Sequence, residues 1–380
     1  MRSALVVMLS LAGCGSGSGD VVGHDAAVEV DTDTDTEPDT EPAPDTEPEP
    51  DTEPAPDTEP APDTEPAPDT EPDTEPDTDA EPEPDTEPDT ETDPCAPITG
   101  LRAPTATDLD TLAPTEAGKV RGVWLAPADR PFTPGLHERL DAWLTLASDF
   151  MADELQRWTG AAKTFVPQRD ASGRWDVVFL EGLHDAAFYH AHASAPDAPG
   201  EALAEIFARL PAAFHRDAII VYLYDTAVVS GAGLAHTGQG GSAAPWQGDD
   251  AGYALIGSHV LGVGFEAVRA DPATQGCAFD DTTASGLEDF DGEGVWRALD
   301  RGEWASTFVG AAVHELGHAF GLEHVFDDAD GDGVENNLMG NGFRRFGGRS
   351  TTRLPQPPTL LGPTSAAALA PHPFLVEVAR

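Results

Sequence analysis

One long acidic repeat decides how much of this 380-residue chain can fold. From Asp31 to Pro94 the sequence repeats the units DTEP and DTEPAP, contains 28 Asp and Glu residues, and has no Lys, no Arg and no apolar residue larger than Ala. Such a segment cannot bury enough apolar surface to offset the entropy of ordering, and its like charges and prolines extend it. The repeat therefore predicts a disordered tether, about 200 Å long if it is fully in the polyproline II conformation.

The residues before the repeat have the organisation of an export signal. A basic start precedes a short apolar stretch from Ala4 to Leu11, which is too short to cross a bilayer and is typical of a secretory signal. The residues LAGC, Leu11 to Cys14, resemble the bacterial lipobox, which implies a lipidated Cys14. An ordinary secretion signal that happens to precede a cysteine is the alternative. We expect a signal peptide at 1–13, a lipid-anchored tether at 14–94, and a location in the cell envelope, at the outer membrane, or outside the cell.

The remaining residues, 95–380, have the composition of a folded domain. They carry 38 acidic and 19 basic residues, and no basic cluster suggests a nucleic-acid partner. Cys95 and Cys277 are the two cysteines of this region, and in an exported protein such a pair most simply forms a disulfide. The alternative is that one of these thiols occupies a metal site as a latency switch. The sequence does not indicate an oligomeric state.

Hydrophobic patterns within 95–380 predict alternating strands and helices. Runs rich in β-branched and aromatic residues predict strands at 119–127, 175–182, 217–225 and 252–260. Apolar residues spaced three or four apart predict a long helix at 135–158 and shorter helices at 201–210 and 303–320. Between them we expect a glycine-rich segment at 230–245 and an acidic loop at 280–294. This order predicts an α+β fold in which helices pack on one face of a twisted sheet.

The segment HELGHAFGLEH has the residue types and the spacing of a catalytic metal site. His314 and His318 lie one turn apart on the predicted helix, so both imidazoles can face one ion. Gly321 can adopt a positive φ, end the helix and bring His324 back to the same ion. Three histidines with an open fourth position are the arrangement of a catalytic zinc site, and Glu315 lies beside that position.

This segment, followed by Met339 in NNLMGNG, resembles the metzincin clan of zinc metallopeptidases, and within it the matrixin and pappalysin-type groups. The resemblance implies a zincin-like α+β fold: a twisted, mostly parallel sheet with an edge strand near 240–243, a long first helix and an active-site helix. It also implies a small C-terminal subdomain after the third histidine, with its last helix within 363–374. In the clan, the edge strand pairs with the substrate peptide.

The resemblance also implies a set of chemical roles. Zinc bound by His314, His318 and His324 acidifies its water, and Glu315 acts as the general base that passes the proton to the leaving amine. Met339 forms a hydrophobic floor beneath the ligands. Some members of the clan have a Tyr two residues after this Met, where this chain has Asn341, so no side chain is assigned to oxyanion stabilisation.

The acidic segment after the third histidine contains half of a calcium-binding pattern. Asp328, Asp330 and Asp332 alternate as in the first half of an EF-hand loop, but the twelfth position, where a Glu would complete it, is Met339. The segment is therefore not an EF-hand. A shorter Ca²⁺ site completed by Asn336 or Asn337 and a solvated acidic loop both stay open.

Together these patterns predict an exported, lipid-tethered zinc endopeptidase that acts on protein or peptide substrates, with contact to the membrane through its lipid anchor alone. A catalytically inactive zinc-binding surface lipoprotein, used in binding or adhesion, is the alternative. The substrate preference cannot be read from the sequence. The sequence also leaves open whether residues 95–116 are an inhibitory prosegment or a part of the domain.

Overall fold

The computed structural model describes most of the predicted folded domain. The described residues are 95–96, 98–192, 200–226, 228–230, 233–235, 239–244, 247–257, 268–290, 296–326, 336–348 and 358–380. The signal peptide, Cys14 and the acidic repeat lie outside them, so what the sequence predicts there stays a prediction.

Eleven strands occur in the described part of the chain. In chain order they are β1 Lys119–Ala126, β2 Lys163–Pro167, β3 Val177–Glu181, β4 Ile219–Tyr224, β5 Val228–Ser230, β6 Gly233–Ala235, β7 Gln239–Ala243, β8 Gly252–Gly257, β9 Ala284–Phe290, β10 Trp296–Asp300 and β11 Leu375–Glu377. Seven of them form one sheet in the order β11-β2-β1-β4-β8-β7, with β3 also paired to β1. The inner pairs are parallel, whereas β7 and β11 are antiparallel at the two ends.

The described residues also form six α-helices, which cover both faces of this sheet, so the prediction of helices on one face is wrong. They are α1 Leu136–Thr159, α2 Ala186–Ala191, α3 Gly200–Arg209, α4 Gln275–Phe279, α5 Arg301–Ala319 and α6 Pro363–Leu369. Alternate residues of β4 point to opposite faces: Val221 packs in one core with α1 and α5, and Tyr222 packs in the other with α3. Strands buried on both faces explain the nearly continuous apolar runs of β1 and β4. No helix in the described ranges is both long and apolar enough to cross a membrane.

The long helix predicted at 135–158 is confirmed as α1. Six apolar residues along one side of α1 are completely buried: Leu140, Trp143, Leu144, Ala147, Met151 and Leu155. Burying one such large side chain stabilises the fold by about 1.5–3 kcal/mol. Gly135 and Gly160 flank the helix with φ of 77° and 78°, and the Gly160 N–H bonds to the Gln156 carbonyl at 3.0 Å. The predicted C-terminal helix is α6, and β11 after it returns to pair with β2.

The prediction of an acidic loop at 280–294 is wrong. Residues 284–290 are strand β9, which pairs with β10 in an antiparallel hairpin. Phe290 and Trp296 are directly opposite each other in the backbone register, so the chain pairs here although acidic residues disfavour strands. The glycine-rich segment likewise contains strands, because β6 and β7 lie within it.

The segment that follows Cys95 packs as part of the domain. The structure contains the predicted disulfide between Cys95 and Cys277, with the Cα atoms 5.6 Å apart. The Thr107 N–H donates to the Phe179 carbonyl at 2.8 Å, and the Phe179 N–H donates to Thr107 Oγ1 at 2.9 Å. The segment therefore covers the outer edge of β3, on the side of the sheet away from β7. Because both sulfurs are joined, neither Cys95 nor Cys277 acts as a thiol switch in this structure.

Candidate metal centre

Helix α5 places the first two predicted ligands against the sheet. A capping box begins the helix: Asp300 accepts from the Glu303 N–H at 2.7 Å, and Glu303 accepts from the Asp300 N–H at 3.0 Å. The far end of the helix presses on β8, where a Cβ on Gly252 would lie 1.7 Å from the Ala319 carbonyl oxygen. Only a glycine at this position of β8 allows so close an approach.

A tight turn ends α5 and carries the third predicted ligand back. The Leu322 N–H bonds to the Gly317 carbonyl at 3.2 Å and the Gly321 N–H bonds to the His318 carbonyl at 2.9 Å, which is a Schellman motif. Gly321 has φ of 81°, in the left-handed region that favours glycine. After this turn, His324 lies beside α5, with its ring 4.5 Å from that of His318.

The three predicted ligands converge through one nitrogen each. His318 Nε2 lies 3.0 Å from His314 Nε2 and 3.1 Å from His324 Nε2. The ligand atoms of all three residues lie within 4.8 Å of one another. Two nitrogens that bind one tetrahedral zinc at 2.0–2.1 Å would be about 3.3 Å apart, so this spacing fits a shared ion.

The backbone determines which nitrogen of each buried imidazole faces the centre. His314 Nδ1 lies 2.6 Å from the Leu338 carbonyl, and His318 Nδ1 lies 2.7 Å from the Leu322 carbonyl. Since a carbonyl oxygen only accepts, each Nδ1 carries the proton and each neutral ring presents an Nε2 lone pair. Two lone pairs 3.0 Å apart repel each other unless a cation lies between them. The donor set therefore fits a bound metal ion.

Burial keeps these imidazoles in the neutral form that a metal requires. His314 is 2% exposed, and its burial, together with the neighbouring His318 and His324, lowers its pKa to about 3. Burial lowers the pKa of His318 to about 4, and it also lowers the pKa of His324. Neutral rings at physiological pH offer their lone pairs without first losing a proton.

Glu315 and Met339, to which the resemblance assigns further roles, are both buried. Glu315 follows the first ligand on α5 and is 1% exposed, so its carboxylate is held inside the protein and not in solvent. Met339 is fully buried, and its Sδ lies 2.6 Å from where a Cβ on Gly317 would be. The methionine thus packs directly against the helix backbone between His314 and His318.

A tight turn around Met339 is hydrogen-bonded to the chain beside the predicted ligands. Asn337 Oδ1 accepts from the Met339 N–H at 2.9 Å, and the Asn337 carbonyl accepts from the Gly340 and Gly342 N–H groups at 3.0 and 2.9 Å. The Met339 carbonyl accepts from the Val325 N–H at 3.1 Å, next to His324. These bonds hold the Leu338 carbonyl in place for His314.

Some predicted site residues fall outside the arrangement just described. Asp328, Asp330 and Asp332 lie outside the described residues, so the Ca²⁺ site stays a prediction. Asn341, at the position where some members of the clan have Tyr, is exposed. The two carbonyls that orient the histidines could not be predicted, because backbone groups have no sequence signature. Asn337 was a candidate calcium ligand, whereas in the structure its amide oxygen accepts from the Met339 N–H.

The sequence matches no protein-family model and no curated protein. Among solved structures it is similar to wild-type OgpA from Akkermansia muciniphila in two crystal forms, with 19% and 18% identity and a TM-score of 0.44 for both. It is also similar to catalytically inactive OgpA in complex with an O-glycopeptide (glycodrosocin) substrate, with 18% identity and a TM-score of 0.43. The match to the inactive protein and the match to the first crystal form of the wild type each cover 70% of this chain and 64% of the other chain. The match to the second crystal form of the wild type covers 71% of this chain and 66% of the other.

Proposed function

We propose that this protein is a zinc-dependent endopeptidase. The observation that carries the proposal is the convergence of three Nε2 nitrogens, from His314, His318 and His324, with Glu315 buried directly after the first of them on α5. Three neutral imidazoles leave a fourth position of a tetrahedral ion for a reactant, whereas a structural zinc site is closed by a fourth protein ligand. Together with the metzincin-like motif, this arrangement favours hydrolysis over metal storage.

The roles of the residues are those that the resemblance to metzincins implies. His314, His318 and His324 would hold zinc, which when bound acts as a Lewis acid that acidifies water and polarises a carbonyl. Glu315 accepts the proton of the attacking water and delivers it to the nitrogen of the leaving amine. The Leu338 and Leu322 carbonyls hold two of the imidazoles in the required tautomer throughout the reaction.

Strand β7 supports a peptide as the substrate. Within the described residues it pairs with β8 alone and forms one end of the sheet, which is the position where a further strand can add. Ala243, at the end of β7, lies close to the turn that leads to His324, since a Cβ on Gly321 would be 3.7 Å from Ala243 Cβ. An extended peptide that pairs with this edge would pass beside the metal centre.

The proposal includes attachment to the cell envelope through a lipid on Cys14. Its support is the resemblance of Leu11 to Cys14 to a lipobox after a short apolar signal. Labelled palmitate should enter the full-length protein, and Cys14→Ser should abolish the labelling. Equal labelling of both proteins would contradict the anchor.

Metal analysis and cleavage of the purified full-length protein test the enzymatic proposal. We expect about one zinc per chain and cleavage of an unfolded protein and of a peptide library containing plain and O-glycosylated members. A chelator should stop the cleavage and added zinc should restore it. General acid–base groups contribute about 10²–10⁴-fold, so Glu315→Gln should lower kcat by that factor while zinc stays bound.

Glu377→Gln is the matched control, because Glu377 is exposed on β11 at the other end of the sheet. It makes the same change of charge and should leave kcat unaltered. Retained zinc with no cleavage of any substrate by the wild type would contradict the proposal and favour a zinc-binding surface lipoprotein. Undiminished cleavage by Glu315→Gln would contradict the role of the carboxylate.

A further inference from the structure

Aromatic rings flank the histidine cluster on both sides. The His314 and His324 rings lie 5.3 Å apart at an interplanar angle of 31°, and Phe326 stacks on His324 at 5.6 Å and 29°. On the other side, Phe343 lies 5.3 Å from His314 at 61°. The exposure of the two phenylalanines differs: Phe343 is partly buried, whereas Phe326 is 66% exposed.

Phe326 is held at a short distance from the metal centre. The Val325 N–H bonds to the Met339 carbonyl at 3.1 Å, which ties the backbone just before Phe326 to the turn beneath the ligands. Its ring centre is 5.6 Å from that of His324, and a zinc ion would lie 2.0–2.1 Å beyond His324 Nε2. The Phe326 ring is therefore about 9 Å or less from the ion position. Residues of an extended peptide repeat every 3.3 Å or so, which places the ring within reach of side chains near the scissile bond.

An exposed apolar side chain by itself needs no explanation, and Leu183 is 69% exposed far along the chain from the centre. The difference at Phe326 is the stacking of one ring face on a metal ligand while most of the side chain stays open to solvent. A ring that served only to hold His324 could be covered by the rest of the domain. A ring left open beside the reacting atoms is available to a substrate.

We infer that Phe326 forms a wall of a substrate subsite that takes an apolar, preferably aromatic, side chain within two residues of the scissile bond. This inference rests on the proposed endopeptidase function. Aromatic pairs favour offset or edge-to-face contact, and burial of the solvent-facing ring surface by a substrate side chain adds to that contact. Such a contact discriminates between an aromatic and a methyl side chain by about tenfold.

The test measures kcat/KM for peptides that carry Phe or Ala at each of two positions on either side of the scissile bond. The wild type should prefer Phe at one of these positions by about tenfold. Phe326→Ala should remove this preference, Phe326→Leu should restore part of it, and Leu183→Ala, the matched truncation of an exposed apolar residue, should leave it intact. Zinc content should be the same in all four proteins. An equal loss for every peptide, or loss of zinc, would show that Phe326 only positions His324 and would overturn the subsite.

Binding of inhibitors separates this inference from the proposed function. The probes are two peptide hydroxamates with a Phe or an Ala side chain, titrated by calorimetry into the zinc-loaded full-length protein. If the wild type cleaves nothing but binds the Phe hydroxamate more tightly, and Phe326→Ala abolishes the difference, the subsite stands and the peptidase proposal fails. Equal binding of the two hydroxamates, or no binding of either, would overturn the subsite.

Discussion

Buried histidines lie on opposite faces of the same sheet: the cluster that contains His314 and His318 on one face, and the single residue His215 on the other. On the α5 face, His314 and His318 have pKa values lowered by burial to about 3 and about 4. On the α3 face, His215 is 4% exposed, and burial lowers its pKa to about 4 as well. Its Nδ1 lies 2.6 Å from the Tyr222 hydroxyl, and its Nε2 has no hydrogen-bond partner among the described residues.

Burial and pKa therefore do not distinguish a metal ligand from a core histidine. The distinguishing feature is that His314 and His318 each bind a backbone carbonyl through Nδ1 and direct Nε2 toward a common point. His215 packs among the rings of Phe207, Phe214 and Tyr222, and in the described part of the chain it has no ring contact with a second imidazole. A metal site thus depends on convergence of donors, which the α5 helix and its closing turn provide.

The largest effect is expected when the same substitution, histidine to glutamine, is made at His318 on one face and at His215 on the other. His318→Gln removes one of three converging donors, so zinc should be lost and activity should fall by more than 100-fold or so, since even outer-shell changes cost about 10–100-fold. His215→Gln should retain zinc and activity. Metal analysis and kcat/KM measure both, and loss of zinc from His215→Gln would contradict the comparison.

Removal of the disulfide should lower the stability of the protein without affecting the metal centre or His215. Cys95 and Cys277 are 182 residues apart in sequence, and loss of a native disulfide costs about 2–5 kcal/mol. Cys95→Ser/Cys277→Ser should therefore unfold at a lower denaturant concentration but keep its zinc content and kcat while folded. A fall in kcat of the folded protein would show that the N-terminal segment reaches the metal centre.

The pH dependence of stability should reveal His215. Its folded pKa of about 4 lies below the unfolded value of 6.5, so the unfolded chain binds the extra proton between these values. Stability from this residue is complete above pH 6.5 and falls by about 3 kcal/mol as the pH drops to about 4. The titratable group that faces it is the Tyr222 phenol, whose pKa burial raises, and the Arg121 guanidinium lies over the adjacent Phe214 ring.

Urea unfolding of the zinc-saturated wild type and of His215→Gln across this pH range measures the effect. The difference in free energy of unfolding between the two proteins should shrink by that amount as the pH falls from 6.5 to 4. A difference independent of pH would show that His215 is protonated in the folded protein.

The smallest expected effect comes from substitution of two glycines with positive φ. Gly321 has φ of 81° in the turn that ends α5, and Gly173 has φ of 84° between β2 and β3, where an added Cβ would meet no atom within 4 Å. Alanine should cost about 1–2 kcal/mol of stability at either position, because left-handed backbone disfavours a Cβ. Only Gly321→Ala should weaken zinc binding, because it shifts the Leu322 carbonyl that holds His318. Equal zinc affinity in both variants would show that the turn does not position the ligand.

The sequence predicted the metal centre more fully than the β9–β10 hairpin that precedes α5. The spacing of His314, His318 and His324 follows directly from helical geometry and one glycine turn, so local pattern was enough. The β9–β10 hairpin was predicted as a loop, because its acidic composition disfavours strands and its pairing depends on two segments meeting across a turn. Strand β2 was also missed, since five residues beside a long helix carry little periodic signal.

By itself, the sequence determined the α+β class, the long helix α1, the pairing of the cysteines as the simplest use of two thiols, and the candidate metal ligands. Each of these depends on residue spacing within one element or on composition. Tertiary structure alone decided that the segment after Cys95 covers the outer edge of β3, and that the Leu338 and Leu322 carbonyls orient the imidazoles. It also decided that His215 belongs to the core. Those outcomes depend on contacts between residues far apart in the chain, which residue type and spacing do not encode.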